Sequence, residues 1–246
     1  ILLLEKKYNY LSSKKSPNQL VGYKPSKNFN KVKHRVPMLS LSNAFNEEDL
    51  LNFEKKILNF LNKKLEFYDV VFVNDYGHGF ITDKIRRVVE KKSKYLNLNS
   101  QINAGNQGFN LITKYKKANH VCIDLEEAKK AINMKYINLD KIPAKLLNKI
   151  KTNHLTVTLG SKGSMTLTNK KNNLIFMDAF TNKIKDTMGA GDAYFAYSSL
   201  FLYLTDDINL SSFIGNLAGS LSVNIEGPKP ISPIDFINSL NSYFKT

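Results

Sequence analysis

The chain has 246 residues, of which 42% are hydrophobic, and carries a formal net charge of +15 at pH 7. That length holds one large α/β domain or two small ones and buries a real core, which excludes a disordered polypeptide. The positive charge is nearly all lysine, with Arg35, Arg86 and Arg87 the arginines present. Lysine and asparagine abound along the whole chain, so the charge reads as a composition bias. Surfaces that bind nucleic acid lean on the planar fork of arginine, and this argues against a nucleic-acid partner. No stretch approaches the roughly 18–20 apolar residues of a membrane span. Residues 1–4 are apolar, but charges follow at once, so they read as a strand remnant rather than a signal peptide. One cysteine, Cys122, leaves no internal disulfide and fits a reducing cytoplasm.

The first 45 residues are polar, lysine-rich and weakly periodic, and residues 22–30 read as a loop. Asn46 then caps a helix over residues 47–65 with acids in its first turn. Residues 68–74 (YDVVFVN) form an apolar run of strand length. Thr82 caps a helix over 83–95, with Ile85, Val88 and Val89 on one face. Short strands are expected at 96–99 and 120–123, separated by the polar loop 100–110, and a helix starts at 125–132. A helix over 139–150 and a β-branched strand at 155–159 follow. Residues 165–168 and 174–177 read as a hairpin. Helices over 190–204, 210–225 and 233–243 close the chain. Strands alternating with helices argue for a parallel sheet covered on both faces.

The strongest chemical signal is the heptapeptide DTMGAGD at residues 186–192. Its glycines permit a tight turn with unobstructed N–H groups, and a helix N-terminus points at the same place. That combination makes an anion hole for a phosphoryl group. Asp192, in the first helical turn, is placed to take a proton from an attacking hydroxyl. An ordinary Asp-capped loop is the bland alternative, which seven matched residues followed by AYFA make the weaker one. No Walker P-loop pattern occurs.

At these residues the sequence resembles the PfkB/ribokinase family of carbohydrate kinases, whose signature is Asp-Thr-x-Gly-Ala-Gly-Asp. The resemblance implies a three-layer α/β/α ribokinase-like fold with a mainly parallel sheet, and ATP and Mg²⁺ as cofactors. It implies Asp192 as catalytic base, with amides from Gly189, Ala190 and Gly191 forming the anion hole beside Thr187. The segment TLGSKG at 158–163 is similar to the family's nucleotide loop, which gives Thr158, Gly160, Lys162 and Gly163 nucleotide-binding roles. Read alone, it is equally a strand and turn. DLEE at 124–127 stands where the family has Asn-x-x-Glu, implying Asp124 and Glu127 near a metal; a helix N-cap explains Asp124 as well. NLAGSLSVNIEG at 216–227 resembles the wall of the adenine pocket, through Asn216 and Gly227, and equally plain helix packing.

NDYGHG at 74–79 and NSQINAGNQGFN at 99–110 follow strands, where ligands gather in parallel sheets. Together they resemble the bacterial heptose-phosphate kinase branch often fused to a cytidylyltransferase. This implies a sugar or sugar-phosphate substrate met by Asp75, Gly77, His78, Asn103 and Asn106. That branch commonly has Lys where His78 stands. The basic run 31–35 resembles a segment beside the sugar site, through Lys33 and Arg35, or is a solvated lysine run. Residues 1–45 then correspond to a remnant of the lid and substrate region, and residues 46–246 to the ATP-binding catalytic domain. The family's N-terminal part is expected to be missing. A homodimer and a fused nucleotidyltransferase domain are the partners implied, in a cytoplasmic protein. A nucleotide-binding module without turnover is the competing reading.

Overall fold

The computed structural model describes residues 46–244, apart from 107, 170–172, 182 and 228, together with Glu5, Lys7 and Tyr8. Lys33 and Arg35 lie outside the described residues, as does the rest of the lid remnant expected over residues 1–45 apart from Glu5, Lys7 and Tyr8. The chain divides into two units, Ile1–Phe45 and Asn46–Thr246. The sheet and the helices that cover it belong to the second.

Helix α1 (Glu47–Lys64) starts where the Asn46 side chain accepts a bond from the Asp49 amide at 2.9 Å, and Glu47, Glu48 and Asp49 face its positive end. Strand β1 (Val71–Asp75) follows. Thr82 caps α2 (Asp83–Lys92) by accepting from the Ile85 amide, and β2 (Leu96–Ser100) comes next. Then come β3 (His120–Asp124) and α3 (Leu125–Ile132), joined by a capping box between Asp124 and Glu127. The helix expected over 139–150 is instead a 3-10 turn, Leu139–Lys141, running into the short α4 (Ile142–Leu147). Pro143 sits in its first turn, the one part of a helix that tolerates a missing N–H. Strands β4 (His154–Thr158), β5 (Ser164–Thr168) and β6 (Asn173–Met177) complete the sheet. Helices α5 (Ala190–Thr205), α6 (Ile208–Ser222) and α7 (Pro233–Phe244) close the chain.

The six strands lie in sequence order. β1 to β4 are parallel, and β4–β5–β6 is an antiparallel meander. The sheet is therefore mixed and mostly parallel. Side-chain alternation divides its two faces by chemistry. One face carries Leu96, Leu98, Val121, Ile123, Leu155, Val157, Met165 and Leu167, all buried against Ile85 and Val89 of α2, the alanines of α3 and Ile142 and Leu146 of α4. The other face carries Asn97, Asn99, His120, Cys122, Thr156, Ser164 and Thr166, equally buried.

Helices α5 and α6 meet that second face through hydrogen bonds. His120 Nδ1 pairs with Ser199 Oγ at 2.9 Å and Nε2 with Thr156 Oγ1 at 3.0 Å. The chain continues through Thr166 at 3.0 Å to Ser212 on α6 at 2.9 Å. Tyr194 OH and Asn216 Nδ2 both donate to Ser164 Oγ, at 2.9 and 3.0 Å. Burial holds His120 neutral, with its pKa pushed down to about 3. α5 and α6 touch closely at Gly215, where an added Cβ would come within 2.7 Å of the Tyr194 ring. This interface fixes the N-terminus of α5, and with it the loop before it.

Candidate active site

The loop 186–192 closes on itself. Asp186 Oδ1 accepts from the Met188 amide at 2.9 Å and Oδ2 from the Gly227 amide at 3.1 Å. The Met188 amide, then that of Gly227, holds its carboxyl below the usual range. Gly227 is thus tied to the loop rather than placed on the cavity wall. Gly189 is the N-cap of α5 with φ 78°, a left-handed conformation that only glycine adopts without strain. Open space lies where a Cβ of Gly191 would stand, so a ligand atom has access to the first turn of the helix.

Beside this turn is a cavity of about 450 Å³, within the range of small-molecule sites. Ala190, Gly191 and Thr187 form one side. Thr158, Gly160 and Gly163 form another, and Asn216 and Asp124 also line it. The two glycines of that turn differ in purpose. Gly160 (φ 61°) has open space at its Cβ position, whereas a Cβ on Gly163 would meet Met177 O at 1.9 Å. Gly163 lets β5 pass the backbone after β6, and Gly160 leaves room for a ligand. Lys162 is exposed and not among the lining residues. Asn216 is held by Ser164 and by the Ser212 carbonyl at 3.0 Å while still reaching the wall.

Asp192, in the first turn of α5, is half-buried, and desolvation pushes its carboxyl above the usual value. Gln101 Nε2 donates to Oδ1 at 2.9 Å, and Tyr76 OH lies 3.5 and 3.4 Å from the two oxygens. Neither Gln101 nor Tyr76 belongs to the residues expected at the site. The signal that marks them is position, because each is the first residue beyond a parallel strand (β2 and β1), at the edge where ligands bind.

Asp124 and Glu127 form the capping box at the start of α3. Asp124 Oδ1 accepts from the Glu127 amide at 2.7 Å, and Glu127 Oε2 from the Asp124 amide at 3.0 Å. Glu127 Oε1 also accepts from the Ile102 amide at 2.9 Å. Burial, then the nearby Asp124 charge, pushes Glu127 up to about 7. Asp124 lines the cavity, and Glu127 stands behind it. Among the described residues, no group of three His, Cys, Asp or Glu side chains is placed to hold a metal ion.

The residues of 74–79 do not share one environment. Asp75 is 3% exposed and on the α2 face of the sheet. Its carboxylate meets Lys114 Nζ at 2.5 Å and accepts from Tyr115 OH at 2.6 Å and from the Gly77 amide at 3.0 Å. His78 is exposed. Asn103 and Asn106 both donate to the Tyr76 carbonyl, at 2.8 and 3.1 Å, so their amides organise the loop. None of Asp75, Gly77, His78, Asn103 and Asn106 lines the cavity.

Comparison with known proteins gives three findings. Residues 39–235 match the model of the pfkB family carbohydrate kinase. Among solved structures, phosphofructokinase-2 from Escherichia coli in complex with potassium superposes with a TM-score of 0.63 at 17% identity, over 82% of this chain and 64% of that one. Arabidopsis thaliana ribokinase complexed with ribose and ATP superposes at 0.57 and 16% identity, over 75% and 58%. At such identities the likeness is one of fold. Among curated sequences, the DNA ligase of Pelagibacter ubique (strain HTCC1062) is 67% identical over 64 residues, 26% of this chain and 10% of the ligase. The DNA ligase of Halothermothrix orenii is 52% identical over 65 residues, again a tenth of its length.

Proposed function

The chain belongs to the pfkB family of carbohydrate kinases, and from that premise we propose that it transfers the terminal phosphate of ATP to a hydroxyl of a sugar or sugar phosphate, of the heptose-phosphate type. The observation that carries this reading is what the 186–192 turn brings together. Its amide-bearing residues Ala190 and Gly191 line a nucleotide-sized cavity, and Asp192, one residue on, presents a half-buried carboxylate next to them. In the proposed step an acceptor hydroxyl gives its proton to Asp192. Its oxygen bonds to the terminal phosphorus as the bond to the departing nucleoside diphosphate breaks. The α5 N-terminus, with the amides of Gly189, Ala190 and Gly191, stabilises the charge on the phosphoryl oxygens. Desolvation makes Asp192 a stronger base than a free carboxylate.

The donor set fits Mg²⁺ through few protein ligands, since Asp124 and Glu126 are the carboxylates that line the cavity. Asp124 reaches the cavity wall, and Glu127 holds Asp124 in place through the capping box. One or two carboxylates beside substrate phosphates suit a cation that keeps several of its waters. When bound, Mg²⁺ supplies charge neutralisation at the phosphates. Gly160, Thr187 and Asn216 are proposed to contact the nucleotide, and His78 with the 103–106 turn to face the acceptor. The chain spans 64% of phosphofructokinase-2 and about a tenth of the DNA ligases it matches.

The test is ATP-dependent phosphorylation of a panel of sugars and sugar phosphates, heptose phosphates included, by the whole chain and by Asp192→Asn. The substitution is expected to lower kcat by about 10²–10⁴-fold and to leave nucleotide affinity in place. An unchanged rate would remove Asp192 as the base. Nucleotide binding with no acceptor phosphorylated supports a binding module instead.

A further inference from the structure

The two side chains that reach Asp192 come from strand ends that neighbour each other in the sheet, and one asparagine clamps both. Asn106 Nδ2 donates to Tyr76 O at 3.1 Å and to Gln101 O at 2.9 Å. Asn110 Nδ2 repeats the pattern one step back, to Asp75 O at 2.6 Å and Gln101 O at 3.1 Å. The Gln101 amide donates in turn to Asp75 O at 2.9 Å. The backbone of Gln101 is therefore held on both its N–H and its carbonyl. Asn106 and Asn110 are 9% and 4% exposed. Gly77 (φ 70°) leaves the room they occupy, since a Cβ there would stand 2.6 Å from Asn106 Nδ2 and 2.7 Å from Asn110. Asn106 and Asn110 are thus a buried brace that holds two side chains at one carboxylate.

We infer that Gln101 is a positioning residue for Asp192, and that Asn106 keeps Gln101 and Tyr76 in register with it. This rests on the proposed role of Asp192 as base. A neutral amide suits the task. Its one bond to Oδ1 sets the rotation of the carboxylate, and Oδ2, whose contact with Tyr76 OH is a long 3.4 Å, receives the proton, while no full charge is added that would weaken the base. The other titratable groups facing Asp192 are Tyr76 from the loop after β1 and Cys122 on β3, with Asp124 and Glu127 beyond it at the start of α3.

The experiment measures kcat against pH for Gln101→Leu, Gln101→Glu and Asn106→Asp, with thermal melts to confirm folding. Loss of a bond to a charged group is expected to lower kcat in Gln101→Leu by about tenfold or more and to move the acid limb of the profile to higher pH. Gln101→Glu keeps the size and adds a like charge, so it moves that limb further; the two carboxylates then titrate as a pair. Asn106→Asp is expected to give a smaller shift in the same direction. A uniform fall in kcat with the acid limb unmoved would mean a structural role only and overturns the inference. So does a wild-type profile in a folded Gln101→Glu, which keeps the inference testable even where the leucine variant fails to fold. If Asp192→Asn keeps full activity, the base assignment has failed and this inference falls with it. If Asp192→Asn is inactive while the Gln101 profiles match wild type, this inference alone has failed.

Discussion

Replacing Lys114 by Met removes the cation beside the buried Asp75 carboxylate, together with the bond Lys114 donates to Asn110. Burial pushes the Asp75 carboxyl up, but the bonds from Lys114, Tyr115 and the Gly77 amide outweigh it, and the net position is below the usual 3.8. Removing one partner of a buried pair costs about 3–5 kcal/mol. Here the Lys114 side chain is 29% exposed, and Tyr115 OH and the Gly77 amide stay in place. The loss should therefore be near 2 kcal/mol, a fall of roughly 4–8 °C in Tm for a chain of this size. In wild type Asp75 is ionised in both folded and unfolded states above the unfolded value, so its contribution is constant from neutral pH down to about 4 and is lost only as pH falls through the depressed folded value. In the variant the nearest cation is gone and burial dominates, which raises the folded pKa. The variant's folded state then takes up a proton before its unfolded state does, and gains stability relative to wild type as the pH is lowered. Urea unfolding of both proteins between pH 7 and pH 4.5 measures the difference directly. The deficit should be largest at pH 7 and narrow on acidification. No deficit at pH 7, or one that widens toward acid, refutes the reasoning.

Two packing predictions accompany it. Gly215→Ala places a methyl within 2.7–2.9 Å of the Tyr194 ring and Ser198 Cβ, and overpacking of this kind costs about 1–3 kcal/mol; an unchanged melting temperature would contradict the close α5–α6 contact. Cys122 is buried, and burial pushes its thiol well above the ordinary range. It should resist alkylation in the native protein and react in urea; fast labelling without denaturant would count against the sheet–helix interface.

The parts of the fold that sequence reveals are those settled locally. Asn46, Thr82 and Asp124 each cap the helix they precede, because a short polar side chain three residues before an amide needs no distant partner. The apolar spacing over 139–150 suggests one helix, but Pro143 carries a local preference for a first turn that outweighs it. The anion loop is legible for the same reason as the caps, since its glycines and Asp186 act on their own neighbours. Gln101 and Tyr76 lie 91 and 116 residues from Asp192 in the chain, and only the parallel pairing of β1 with β2 brings them together. Adjacency in the chain groups Asp75 with His78. Strand alternation sends the Asp75 side chain to the α2 face instead, where Lys114 and Tyr115 hold it.

The polar face of the sheet also determines how much freedom the two helices above it have. Apolar surfaces in contact attract without direction, so a helix resting on leucines can slide or roll by a fraction of an ångström at little cost. The chain from Ser199 through His120, Thr156 and Thr166 to Ser212 is directional at every joint. A roll of α5 would lengthen its His120 joint, and a shift of α6 its Thr166 joint, at side chains buried away from bulk solvent. The interface therefore works as a keyed coupling, which locates the N-terminus of α5 along its axis and in rotation. Substitutions on the opposite, aliphatic face should be absorbed by repacking. Here a single Thr156→Val exchange would remove the His120–Thr156 joint and loosen the seat of the helix that carries Asp192, with the consequence appearing at a residue it never touches.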